Sequence, residues 1–168
     1  MTESSSITVA TADGGEPPAP TSSTSSDPEP VGVRPEGFGS TLARATLSDG
    51  SVCEFCVWSA DTASLRSRGL MFVTDLGEAD AMAFRYPAPH TGTFWMKNTV
   101  LPLSIAFFAP DGEFISSFDM EPCRADPCPN YRTPENFQVG VEVPQGDLAR
   151  LGLVEGSTLQ LLDLPCNA

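Results

Sequence analysis

The sequence predicts an α+β fold that is mostly antiparallel β, a small barrel-like domain with two short helices. Three observations carry this expectation. About seven or eight short segments of strand character are separated by strong turn signals, among them Asp49-Gly50 and Pro110-Asp111-Gly112. Only two segments, Thr62 to Arg68 and Gly146 to Leu151, have helical character, and both are short. The first 38 residues differ in composition from the rest, so the expected organisation is a linker over residues 1–38 and a single domain over 39–168.

Residues 1–38 are rich in Ser, Thr, Pro, Gly and Ala and carry six acidic residues against one base, Arg34. Such a segment buries too little apolar area to offset the entropy of ordering it, and it reads as disordered. The folded part then opens with Thr41–Leu47 and Val52–Trp58, an alternating pair joined by the Asp49-Gly50 turn. Asp61 is placed to cap a helix of about two turns that stops at Gly69, too short to stand without tertiary contacts. Ala81–Tyr86 reads as a strand and Pro87–Gly92 as a loop. Thr93–Lys97 is the next strand, followed by a turn over Asn98–Pro102 and the apolar run Leu103–Ala109. Glu113–Met120 pairs back as a hairpin. Glu121–Asn136, with four prolines and two cysteines, reads as a long loop. Phe137–Val143 alternates as a strand, Gly146–Leu151 is the second helix, and Ser157–Leu162 the last strand.

The net charge of −13 excludes a phosphate-tracking nucleic-acid surface, which needs clustered Lys and Arg to displace counterions. No run of eighteen apolar residues is present, so no segment reads as a membrane-spanning helix. Met1–Ser6 has no basic segment leading into an apolar one, and no signal peptide is read there. The composition of residues 1–38 is that of a spacer following an export signal or membrane tether, should one lie upstream.

Five cysteines occur. Cys53 and Cys56 have C-x-x-C spacing, but in a strand an odd separation turns them to opposite faces, which opposes zinc binding and a thioredoxin-type site. Cys123 and Cys128 close a short loop stiffened by Pro122, Pro127 and Pro129, and they are expected to form a disulfide worth roughly 2 kcal/mol by chain entropy. A disulfide points to an oxidising, extracytoplasmic compartment.

The stretch Thr93 to Leu103 holds the candidate site. Lys97 is the only lysine in the chain. By the period of two, Trp95 and Lys97 share one strand face while Phe94, Met96 and Asn98 share the other. With one face in the core, Trp95 supplies a flat apolar wall and Lys97 a single charged anchor, as in many ligand sites. The alternative is that Trp95 packs under a loop while Lys97 pairs with Asp119 or Glu121. Asn98 holds the turn or joins the site. Arg68, at the end of the first helix, either complements the helix dipole or offers a fork to a carboxylate or phosphate.

Two blocks, Arg66-Ser67-Arg68-Gly69-Leu70-Met71-Phe72 and Phe94-Trp95-Met96-Lys97-Asn98-Thr99-Val100-Leu101-Pro102-Leu103, resemble the signature blocks of the bacterial and archaeal family known as domain of unknown function 192. Ala81-Met82-Ala83-Phe84 is similar to its Gly-Met-Leu-Phe strand, the Pro122–Tyr131 region to its Cys-Pro loop, and Phe137–Gly156 to its terminal strand and helix. The resemblance spans about residues 42–163. It implies a compact β-rich domain, commonly exported or anchored, with no established activity. Ser104 stands where many members have Asp.

The resulting expectation is a non-catalytic extracytoplasmic domain that binds a small molecule or partner protein at Arg68, Trp95, Lys97 and Asn98, with no cofactor or metal assigned. An enzyme using Lys97 and a carboxylate such as Asp119 is the alternative, disfavoured because no nucleophile–base pair is legible by spacing. His90, the sole histidine, has no sequence-near carboxylate. A copper(I) carrier built on Met71, Met82, Met96 and Met120 ranks third, since methionines beside aromatic residues more often fill cores.

Overall fold

The computed structural model describes residues 33–166. Most of the expected linker, residues 1–32, lies outside the described residues. Residues 33–38 lie against the loop that follows the helix. The Val33 N–H donates to Thr74 Oγ1 at 2.8 Å, the Val33 carbonyl accepts from the N–H groups of Thr74 and Asp75, and Phe38 is buried.

The chain forms β1 (Gly39–Thr46), β2 (Val52–Ala60), α1 (Ala63–Arg68), β3 (Ala81–His90), β4 (Thr93–Trp95), β5 (Leu103–Phe108), β6 (Phe114–Met120), β7 (Asn130–Arg132), β8 (Phe137–Pro144) and β9 (Thr158–Leu161). Seven of the strands make one mixed sheet in the order β6-β5-β8-β3-β2-β1-β9, while β4 and β7 pair separately. The only parallel pairing in that sheet is β2 with β3, across the connection that carries α1. All others are antiparallel.

Both faces of this sheet are covered. One face carries Trp58, Met82, Phe84, Leu103, Ile105 and Phe107, and Phe94 of β4 and Met96 just after it pack on it with Leu70, Val73 and Leu76. The other carries Ala43, Ala45, Ala81, Ala83 and Ala106 together with Phe55, Phe108 and Val141, closed by Leu151 and Leu153.

The fold corrects the barrel-like expectation. The sheet is not a closed barrel, because its edge strands β6 and β9 meet at one corner only. There the Phe114 N–H donates to Ser157 O and the Leu159 N–H to Gly112 O, with a single bridge between Glu113 and Thr158. Gly112 is required at this corner, since its φ is 89° and an added Cβ would lie 2.4 Å from the Leu159 carbonyl oxygen.

Among the described residues one helix forms, not two. Residues 146–151 make tight turns, because Gly146 (φ 93°) and Gly152 (φ 72°) bracket a segment too short for a second helical turn. The α1 N-cap is Thr62, whose Oγ1 accepts the Leu65 N–H at 3.2 Å, and the Asp61 carbonyl instead accepts from Arg66. β3 runs on to His90 through an irregularity at Arg85/His90, beyond the expected end at Tyr86. β7 lies within the stretch read as loop, where three residues flanked by prolines gave no strand signal.

Candidate functional site

The signature stretch folds as its alternation dictates. Phe94 and Met96 enter the core, while Trp95 remains 48% exposed. The strand ends at Trp95, and the chain then tightens into a turn closed by the Thr99 N–H on the Met96 carbonyl at 3.0 Å. Asn98 sits at φ 56°, a left-handed conformation that Asn tolerates better than most side chains. Its backbone joins two loops: its N–H donates to Cys123 O at 2.9 Å and its carbonyl accepts the Phe72 N–H at 2.8 Å.

Lys97 stands over Trp95, with Nζ 5.8 Å from the indole centroid. Its ion-pair partner is Asp126, at 2.9 Å, and not Asp119 or Glu121. Asp126 belongs to the loop closed by the Cys123–Cys128 disulfide, which forms as the spacing predicts with Cα atoms 5.8 Å apart. A second disulfide, Cys56–Cys166, ties the end of the chain to β2 and leaves Cys53 unpaired. Cys53 and Cys56 point into opposite cores, as strand geometry requires.

Between α1 and β4 lies a cleft of about 310 Å³, walled by Arg66, Ser67, Tyr86, Phe94 and Trp95. A smaller cavity of about 30 Å³ shares Arg66, Ser67, Phe94 and Trp95 with it and reaches inward past Arg68 and Gly69 to Thr99 and Glu142. Of the four residues expected at the site, Arg68 and Trp95 therefore line one cavity. Asn98 faces a separate shallow depression with Phe72 and Val100, and Lys97 lines neither.

Glu142 is the residue the sequence reading missed. It lies on β8, opposite Met82 of β3 and Ile105 of β5, and is 4% exposed. Burial pushes its carboxyl up to about 8. No ion pair involves it among the described residues, and the cavity it lines is where it meets solvent. The Tyr86 phenol is also raised, first by burial, with Arg66 opposing the shift and Glu142 adding to it.

The two arginines at the rim are committed elsewhere. Arg66 donates to the carbonyls of Asp61 and Arg85 and lies 4.6 Å from the Tyr86 ring centroid. Arg68 donates to the Glu36 carbonyl and stacks on Phe38 at 4.4 Å.

Other candidate groups are drawn into structure. Asp119 accepts from Ser104 Oγ at 2.5 Å and from Gln145, beside an open groove of about 720 Å³ that Leu153 and Val154 also line. Ser104 thus lies on the opposite sheet face from Glu142. Met82, Met96 and Met120 are fully buried in the aromatic core, and His90 stacks on Tyr86 at 4.3 Å.

The model of the family described as uncharacterised ACR, domain of unknown function 192 (DUF192), matches residues 45–161. The chain belongs to this family. A solved structure from Sinorhizobium meliloti, described as a proposed transcription regulator, is 26% identical. It aligns over 74% of this chain and 95% of that one with a TM-score of 0.65. A protein of unknown function from Novosphingobium aromaticivorans is 27% identical over 79% of this chain and 94% of its own, also with a TM-score of 0.65. No curated protein matches the chain.

Proposed function

We propose that this DUF192 protein is a non-catalytic extracytoplasmic module that binds a small molecule in the cleft between α1 and β4. The observation that carries the reading is the half-exposed Trp95 indole, which walls a cleft leading to a buried polar end at Glu142 and Thr99. Apolar walls with a few inward polar groups are the usual make-up of ligand sites. Arg68 shapes the rim. Lys97 holds the Cys123–Cys128 loop beside Trp95 through Asp126, so it sets the outer edge of the surface. Two disulfides support an oxidising compartment.

The proposed regulatory role of the Sinorhizobium protein does not transfer easily to this chain. Its net charge is −13, and Arg34, Arg44, Arg85, Lys97 and Arg150 are each engaged with a carboxylate. That leaves little basic surface to track a phosphate backbone.

An enzyme remains the second reading, and Glu142 favours it. A carboxyl that changes charge near neutral pH at the end of a cleft is suited to proton transfer. The pair Lys97 and Asp119 does not serve, because Asp119 is bonded to Ser104 and Gln145 on the far face.

The test is a screen of small neutral, anionic and cationic compounds followed by the two indole N–H resonances in NMR. Trp58 is buried with its N–H bonded to Leu76 O, so it serves as an internal control. Binding in the cleft moves the Trp95 signal and leaves that of Trp58, and Trp95→Ala weakens it. Compounds that bind without moving Trp95 would place the site elsewhere and refute the reading.

A further inference from the structure

We propose that the inner cavity at Glu142 is a recognition site for a primary ammonium group, so that the ligand of the cleft is a small cationic amine. This rests on the cleft being a binding site and names the chemistry that site selects.

The geometry argues as follows. Glu142 is more than nine-tenths buried and lines the cavity, as do the hydroxyl-bearing residues Thr99, itself 5% exposed, and Ser67. Thr99 Oγ1 makes only a long contact of 3.4 Å to Lys97 O. Glu142 and Thr99 thus line one space of about 30 Å³, enough for one small polar group by the volume that a single water requires. The remaining walls include the rings of Phe84, Phe94 and Trp95, whose faces attract cations. A carboxylate needs a positive partner when desolvated, whereas an anion here would meet it with repulsion. The chain's charge of −13 draws cations toward the surface in general.

The charged and titratable groups that face Glu142 are few. From α1 come Arg66 and Arg68, which line the same cavity and whose guanidinium groups donate to the carbonyls of Asp61, Arg85 and Glu36. From β3 comes Tyr86, and β5 presents the apolar Ile105. Lys97, beyond Trp95, is held by Asp126.

Ammonium binding requires the ionised carboxylate, so it is linked to proton release. With Glu142 titrating at about 8 in the free protein, affinity for an amine that stays protonated rises as pH rises. Between pH 6 and pH 8 the expected increase is about 50-fold, and above pH 8 it levels off.

The experiment titrates methylammonium into the full chain at constant ionic strength and follows the Trp95 indole resonance at pH 6, 7 and 8. Tetramethylammonium, too large for the inner cavity, is the control for general attraction of cations. The expected result is methylammonium binding that tightens about 50-fold over this range, is absent with tetramethylammonium, and is lost together with its pH dependence in Glu142→Gln. Equal shifts from both cations would show general attraction only and overturn the proposal. If neutral compounds move Trp95 while methylammonium does not, the cleft binds ligands but the ammonium site falls. If no compound of any charge moves Trp95, both readings fall, and Glu142 is left with nothing more than a structural water.

Discussion

Replacing Glu142 by Gln should stabilise this protein, and by an amount that grows with pH. The carboxyl is raised from an ordinary value of 4.5 to about 8 by burial. Between those values the folded state keeps the proton while the unfolded chain releases it. The unfolded state therefore binds fewer protons, and stability falls as pH rises through this window. The contribution is fully present below about 4.5 and fully lost above about 8. Each unit of difference is worth about 1.4 kcal/mol. Relative to a side chain that does not titrate, Glu142 costs about 1 kcal/mol at pH 5, about 3 at pH 7 and about 4 at pH 8. Gln has nearly the same volume and no charge.

The assay is urea unfolding of both proteins at pH 5, 6, 7 and 8. Every other titrating group is common to the two, so its effect cancels in the difference. Any fixed gain or loss from the new amide also cancels from the slope. The expected outcome is a stability difference that shifts in favour of Glu142→Gln by about 3 kcal/mol from pH 5 to pH 8. Parallel stability curves would refute the reasoning, because they would mean that the buried carboxyl is ionised at pH 5 and already has a partner.

Three further outcomes are expected. Lys97→Ala should change the unfolding free energy by less than about 1 kcal/mol, since Lys97 and Asp126 are 36% and 65% exposed; a larger loss in a thermal melt would show a buried structural pair. Gly112→Ala should destabilise by more than about 1 kcal/mol, through both its positive φ and the collision with Leu159 O, read from the urea midpoint. Replacing Cys56 and Cys166 together by Ser should cost about 5 kcal/mol by chain entropy, because the bridge spans 110 residues, and should expose the Leu164 segment that accepts from Leu42 and Thr41 to amide exchange.

Much of the β structure was legible because it depends on local signals. The Asp49-Gly50 and Pro110-Asp111-Gly112 turns are where hairpins form, and alternation placed Phe94 and Met96 inward with Trp95 outward. What alternation cannot show is which strands become neighbours. The extent of β3, the pairing of β4 with β7 and the corner contact at Gly112 are non-local, so the barrel-like expectation had no signal to correct it. The partner of Lys97 was misplaced for the same reason: Asp126 is brought near by the disulfide loop and not by the β5–β6 hairpin.

Glu142 was missed because its strand misleads when read alone. In Phe137-Gln138-Val139-Gly140-Val141-Glu142-Val143 the valines alternate with Gln, Gly and Glu, which is the pattern of a strand with one wet face. The sheet has no such wet face at Glu142, because β4, the turn after it and the segment following α1 cover that side. A signal was present in the neighbour. Leu103-Ser104-Ile105-Ala106-Phe107-Phe108 is buried at every position, and β8 lies between it and β3 inside the sheet, with Glu142 buried there. At that position an apolar side chain would be the stable choice, with Met82 and Ile105 on either side. A cost of about 3 kcal/mol at pH 7 is large beside the 5–15 kcal/mol that holds a typical domain together. An ion pair would offset such a cost within the fold, and none involves Glu142 among the described residues. That uncompensated cost is the physical ground on which the proposal treats this carboxyl as a binding group and not as part of the scaffold.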